Sequence, residues 1–143
     1  SNGSITNALL LTNNFKAKTD ILKNIISMLV YNKYQNIHEI LTYFKNKEDS
    51  LELLNLLSLY FRDILLNKKN FRSINELTNV IITKYKNANW EKCIFSINKT
   101  HDFLLKNGQN ELIITAFFIE INKILENKYH DVNIIEDYLN YNT

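Results

Sequence analysis

Cys93, the one cysteine of the chain, is the first residue to test for chemistry. It shares a helical face with Trp90, Ile94, Ile97 and Leu104, which reads as a buried thiol of the core and not as a nucleophile. His101 falls on the same stripe with no serine or carboxylate at a suggestive spacing, so it reads as a core or boundary histidine bonded to backbone. Glu126 and His130 stand four apart and could supply half a metal site. His38 is the only histidine besides these two, and there is no cysteine pair to complete the set, so no metal and no other cofactor is expected. "HEILT" at residues 38–42 lacks the second histidine of a zinc-protease helix. Glu136-Asp137 read as solvated ends, and no catalytic constellation emerges.

One charge cluster encloses an aromatic, "NKKNFR" at residues 67–72. Lys68, Lys69 and Arg72 around Phe71 could hold phosphate while the ring stacks a base. The plainer alternative is a connecting loop whose aromatic turns back into the core, and it is preferred here.

These residues have to be placed on helices. The chain has no proline and two glycines, Gly3 and Gly108, standing far apart. Strand-rich folds need both residues at their turns, and phosphate-cradling loops need clustered glycines. Asparagine punctuates instead, at Asn13-Asn14, Asn36, Asn87, Asn89, Asn107 and Asn110, where it can cap a helix or take the left-handed conformation. At 143 residues, 45% hydrophobic and 22% charged, the chain is one domain able to bury a core. A net charge of +2 does not argue for nucleic acid or an anionic membrane. No apolar run reaches the length of a membrane span, and no membrane or small-molecule partner is implied. A lone cysteine suits a reducing cytoplasm. The opening Ser1-Asn2-Gly3, without methionine, is expected of a fragment, or of two residues left from cloning.

Apolar periodicity predicts an all-α bundle of six to eight helices. A first helix starts at Ser4, a second spans about 15–34, and a shorter third opens at Asn36. A long one, capped by Asp49 or Ser50, runs to about Asn67. Ser73-Ile74-Asn75-Glu76 reads as a capping box for the next, through Lys84. Asn89 caps a helix stopping at Asn107-Gly108, Asn110 opens another to about Tyr129, and Ile134, Ile135, Tyr138 and Leu139 suggest a short last one. In "LLSLYFRDILL", residues 56–66, apolar side chains cover all but one stripe, made of Glu52, Asn55, Ser58, Arg62 and Asp63. So wide an apolar face predicts the hub of the bundle. Arg62 and Asp63, adjacent in sequence, cannot pair well with each other. Either each reaches a partner on another helix or another subunit, or both are solvated.

The block Tyr60-Phe61-Arg62-Asp63 within that stretch resembles the Leu-Leu-Ser-Leu-Trp-Tyr-Arg-Asp-Leu-Leu helix in the C-terminal domain of the delta-prime subunits of bacterial DNA polymerase III, a clamp-loader family. Tyr60 stands where the family usually has Trp and Phe61 where it has Tyr. "SNGSITNALLL" resembles the Gly-Ser-x-x-x-Ala-Leu segment that closes the ATPase-like portion of such subunits, and "NGQNELIITAFFIEI" a leucine-rich helix near their ends. The resemblance implies that residues 1–14 end the lid of a preceding ATPase-like region and that 15–143 form a helical collar domain. Collar domains tie the subunits of a pentamer together. The expected partners are therefore the tau/gamma and delta subunits, with the sliding clamp and primed DNA reached indirectly. Thr6 stands where ATP-hydrolysing relatives carry a nucleotide-sensing arginine, so no ATPase or nucleotidyltransferase site is expected here. Phe95, Phe103 and Phe118, each outside the main apolar stripe of its helix, are the candidate subunit contacts. The N-terminal helix and the last two helices are the expected surfaces. A stand-alone helical DNA-binding domain and an unrelated helical adapter remain alternatives.

Overall fold

A computed structural model describes residues 15–107 and 110–128. The expected helix at Ser4, the lid segment 1–14 with Thr6, and the short last helix lie outside these residues. The described residues form six α-helices: α1 (Phe15–Tyr31), α2 (Ile37–Leu41), α3 (Lys47–Leu66), α4 (Asn75–Lys84), α5 (Trp90–Lys106) and α6 (Asn110–Leu125). Short 3-10 turns at Tyr34–Asn36, Thr42–Phe44 and Arg72–Ile74 link them, and the described residues contain no strand. The chain is an all-α bundle.

Asparagine supplies both starts and stops. Asn46 begins α3: its Oδ1 accepts from the Asp49 amide at 2.8 Å, and its Nδ2 donates to Asp49 Oδ2 at 2.7 Å. This reciprocal pair behaves as a capping box, and Glu48 and Asp49 in the first turn complement the helix dipole. The cap expected at Asp49 or Ser50 therefore moves upstream. Ser50 is instead buried, donating to the carbonyls of Phe44 and Asn46. The capping box at Ser73 is also corrected: residues 72–74 form a 3-10 turn and no side chain caps α4. Asn89 does cap α5, accepting from the Lys92 amide at 3.0 Å.

Three segments stop on an asparagine with positive φ, Asn32, Asn67 and Asn127. In each, the lysine that follows folds its amide back to the carbonyl five residues earlier: Lys33 to Met28, Lys68 to Asp63, Lys128 to Lys123. Asparagine tolerates the left-handed region best after glycine, which explains how a chain this poor in glycine ends its helices.

The core joins all six helices. Leu54, Leu57, Tyr60 and Phe61 of α3 are fully buried beside Leu22, Ile26 and Leu29 of α1 and Phe117, Phe118 and Ile121 of α6. α3 and α5 pack antiparallel: Lys47 Nζ donates to the Leu105 carbonyl at one end, Ser58 Oγ to Asn98 Oδ1 at 3.4 Å midway, and Phe61 stacks on Trp90 at the other. α5 and α6 are antiparallel neighbours as well. α4 meets α1 at their C-terminal ends, where the Tyr85 hydroxyl donates to the Leu29 carbonyl at 3.0 Å and Lys84 to that of Val30.

Candidate functional site

Of the Tyr60-Phe61-Arg62-Asp63 block, the two aromatics belong to the core of the bundle. Tyr60 and Phe61 are buried and meet edge to face at 5.7 Å. The Tyr60 hydroxyl shares a 2.8 Å hydrogen bond with the Thr78 hydroxyl, which also lies 3.0 Å from the Ile74 carbonyl. Burial pushes the Tyr60 hydroxyl up to about 12, with the nearby Asp63 charge adding to the shift and the Thr78 bond opposing it.

Arg62 and Asp63 go separate ways. Asp63 is 8% exposed and reaches seven residues on in its own chain: Oδ2 accepts the Asn70 amide at 2.8 Å and Oδ1 the Asn70 side-chain NH2 at 3.0 Å. With the backbone bond from Lys68, these contacts stitch residues 67–70 onto the end of α3. The expectation of a partner on another helix or subunit is thus corrected for Asp63, because the adjoining loop offers two amide donors within reach. Arg62 is half-buried, and its side chain makes neither hydrogen bond nor ion pair among the described residues. The polar stripe of α3 is therefore split: Glu52 and Asn55 face solvent, while Ser58 and Asp63 sink against α5 and the loop.

The stitched loop directs Phe71 inward. Its ring is 5% exposed and packs at 5.5 Å on Tyr60 and 6.3 Å on Phe15. Lys68, Lys69 and Arg72 remain exposed. The loop thus presents three cations and no free aromatic on which a base could stack.

The three candidate contact phenylalanines are not alike. Phe118 is fully buried, edge-on to Phe44 at 5.9 Å and beside Phe117 at 5.1 Å, and Phe103 is also buried. Both are core residues, a correction whose physical reason is that α6 is enclosed on nearly every side and α5 on two. Phe95 alone is exposed, at 64%. The Lys99 ammonium stands 5.8 Å from its ring centroid.

A buried acid lies behind that pair. Glu120 of α6 is 5% exposed; its Oε2 accepts from Ser96 Oγ at 2.5 Å, and its Oε1 lies 3.3 Å from Lys99 Nζ. Sequence inspection passed over this cluster. Its signal was a single carboxylate inside the apolar run of α6, one turn from Phe117 and Ile124, on the face that must be buried.

The remaining candidates separate in space or stay structural. Cys93 is fully buried and its thiol is pushed up to about 12 by that burial, which leaves it unreactive in the folded state. His101 is half-buried, 3.8 Å from the Asp102 carboxylate rather than bonded to backbone. Glu126 pairs with Lys128 at 3.3 Å, and His130 lies outside the described residues. No three of His, Cys, Asp and Glu converge as metal ligands among the described residues, and none of the described helices is long and apolar enough to cross a membrane. Comparison with family models, with curated proteins and with solved structures gave no match.

Proposed function

We infer that the chain is the helical collar domain of a clamp-loader subunit of the delta-prime type, a non-catalytic piece that works by holding neighbouring subunits in place. The observation that carries this reading is where the Tyr-Phe-Arg-Asp block sits. Three of its four side chains are buried at the hub of an all-α bundle, so the residues that resemble the family are those on which the packing of this domain depends. Exposed apolar side chains support it further: Phe95 and Leu105 on α5, Leu112 and Ile119 on the one open edge of α6. A domain that joins others through helical faces needs such anchors, since apolar and aromatic groups supply most of the affinity of subunit contacts.

In this reading the partners are the tau/gamma and delta subunits, the setting is the bacterial cytoplasm at the replication machinery, and the clamp and primed DNA are reached only through the assembled complex. With Thr6 in place of a sensor arginine, the chain neither binds nor hydrolyses ATP. Size-exclusion of the chain mixed with the tau/gamma and delta subunits of its own source is expected to give co-elution, and titration with Mg-ATP is expected to release no heat. A chain that stays out of the complex, or binds Mg-ATP at micromolar concentration, overturns the assignment.

A further inference from the structure

We propose that the outer seam between α3 and α5, centred on Arg62 and Phe95, is the surface on which a neighbouring subunit lays a helix bearing a carboxylate beside apolar side chains. The inference rests on the collar reading and adds to it where the contact lies and what the partner must present.

The seam is placed by its own cross-links. Ser58 of α3 bonds Asn98 of α5 at 3.4 Å, and the two helices are antiparallel. One turn onward in α3 is Arg62, and one turn back in α5 are Ile94 and Phe95. The guanidinium and the exposed ring therefore stand at one level along the seam. Beyond Arg62, Leu65 and Leu66 continue the helix surface at 39% and 52% exposure, while Leu59 flanks it half-buried on the other side. Phe95 is the most exposed of the large hydrophobic residues described.

Charge says what belongs there. Arg62 is half-buried as a residue, and its five N–H donors, which reach solvent, meet no protein partner among the described residues and can take a carboxylate in charge-assisted bonds. Among the described residues, the acids that could answer Arg62 are engaged elsewhere or make no pair with it. Asp63 is held by Asn70, Glu120 by Ser96 and Lys99, and Glu52 by Lys18. Glu91, one turn before Phe95, forms no ion pair with Arg62. No carboxylate of the described residues answers Arg62, and an acid on a partner would complement it. The surrounding leucines and Phe95 favour a protein helix over a phosphate backbone, because arginine with aromatic and aliphatic neighbours is the composition of subunit contacts, whereas phosphate sites are polar.

The ring is also held ready. Lys99 lies over Phe95 and is itself tied to the buried Glu120, so the aromatic is ordered before a partner arrives, which lowers the entropic cost of contact.

The test uses the 143-residue chain with purified tau/gamma and delta subunits, and variants Arg62→Met, Arg62→Glu and Phe95→Ala, with Lys23→Ala on α1 as control. Affinity is read by calorimetry and folding by circular dichroism. Arg62→Met keeps the aliphatic stem, so its fold is expected to survive. Arg62→Met and Phe95→Ala should each weaken binding by about tenfold or more with unchanged spectra, and Arg62→Glu should bind again to a subunit whose contacting acid is changed to lysine. Equal binding by all variants overturns this seam while leaving the collar reading intact. No binding by the unmodified chain overturns both. Tight binding of a primed duplex that Arg62→Met abolishes makes the seam a nucleic-acid contact and overturns the protein partner.

Discussion

Two buried carboxylates, Asp63 at the end of α3 and Glu120 in the middle of α6, are stabilised in opposite ways. Asp63 takes both of its side-chain bonds from the neutral amides of Asn70, and Glu120 takes one from a hydroxyl and one from an ammonium. The first arrangement folds a loop back on its own helix. The second ties α6 to α5. A further difference follows for their basic neighbours: Lys99 is drawn into the domain, whereas Arg62, beside an acid already satisfied by amides, keeps its charge for something else. Adjacent opposite charges in a sequence are thus no evidence of a pair.

The largest effect should come from Glu120. Changing it to Ala strands Ser96 and Lys99 at a helix interface and is expected to lower unfolding free energy by about 3 kcal/mol, read by urea titration. Glu120→Leu combined with Lys99→Met should recover most of that. A double variant as unstable as the single one would mean that the cation contributes nothing. Asp63→Ala should cost less, about 1–2 kcal/mol, and act locally. Hydrogen exchange should quicken at Asn70 and Phe71 while α5 and α6 keep their protection, and a uniform loss would erase the contrast between the two acids.

Alkali probes neutral groups near each region. Cys93 moves from 9.0 in the unfolded chain to about 12 folded, and Tyr60 from 10.0 to about 12. In both, the unfolded state gives up its proton first, so stability is full below about pH 9 and declines as pH rises from there towards 12. Melting temperature against pH checks this, and a flat profile would show that neither group is as enclosed as the fold requires. The smallest effect is expected at Arg62. Its replacement by Ala should change the stability of the free domain by no more than about 0.5 kcal/mol. A loss like that at Asp63 would make Arg62 an internal strut and remove the contrast.

The helices and the hub were legible because apolar spacing reports burial directly: Leu54, Leu57 and Tyr60 are as enclosed as the pattern of α3 requires. The caps were less so. Asparagine was the right residue type, yet the left-handed stops fall at Asn32, Asn67 and Asn127, each followed by a lysine, since the backbone bond that selects them involves no side chain. The contact phenylalanines misled for a related reason. Stripe position on one helix cannot tell that α6 is covered on several sides, so Phe118, off the stripe, is still core. Asp63 was misjudged because its partner Asn70 is reached through a loop, where periodicity carries no information.

The enclosed thiol of Cys93 makes the molecule its own stopwatch. As the one cysteine of the chain, fully covered by the packing of its helix, it can meet a maleimide or disulfide reagent only when that packing opens. The rate at which label enters the native protein therefore counts opening events of the bundle, with no engineered probe. If a partner subunit clamps α3 and α5 together, the count should slow, and the slowing would measure in a single reaction how firmly the assembly grips this domain.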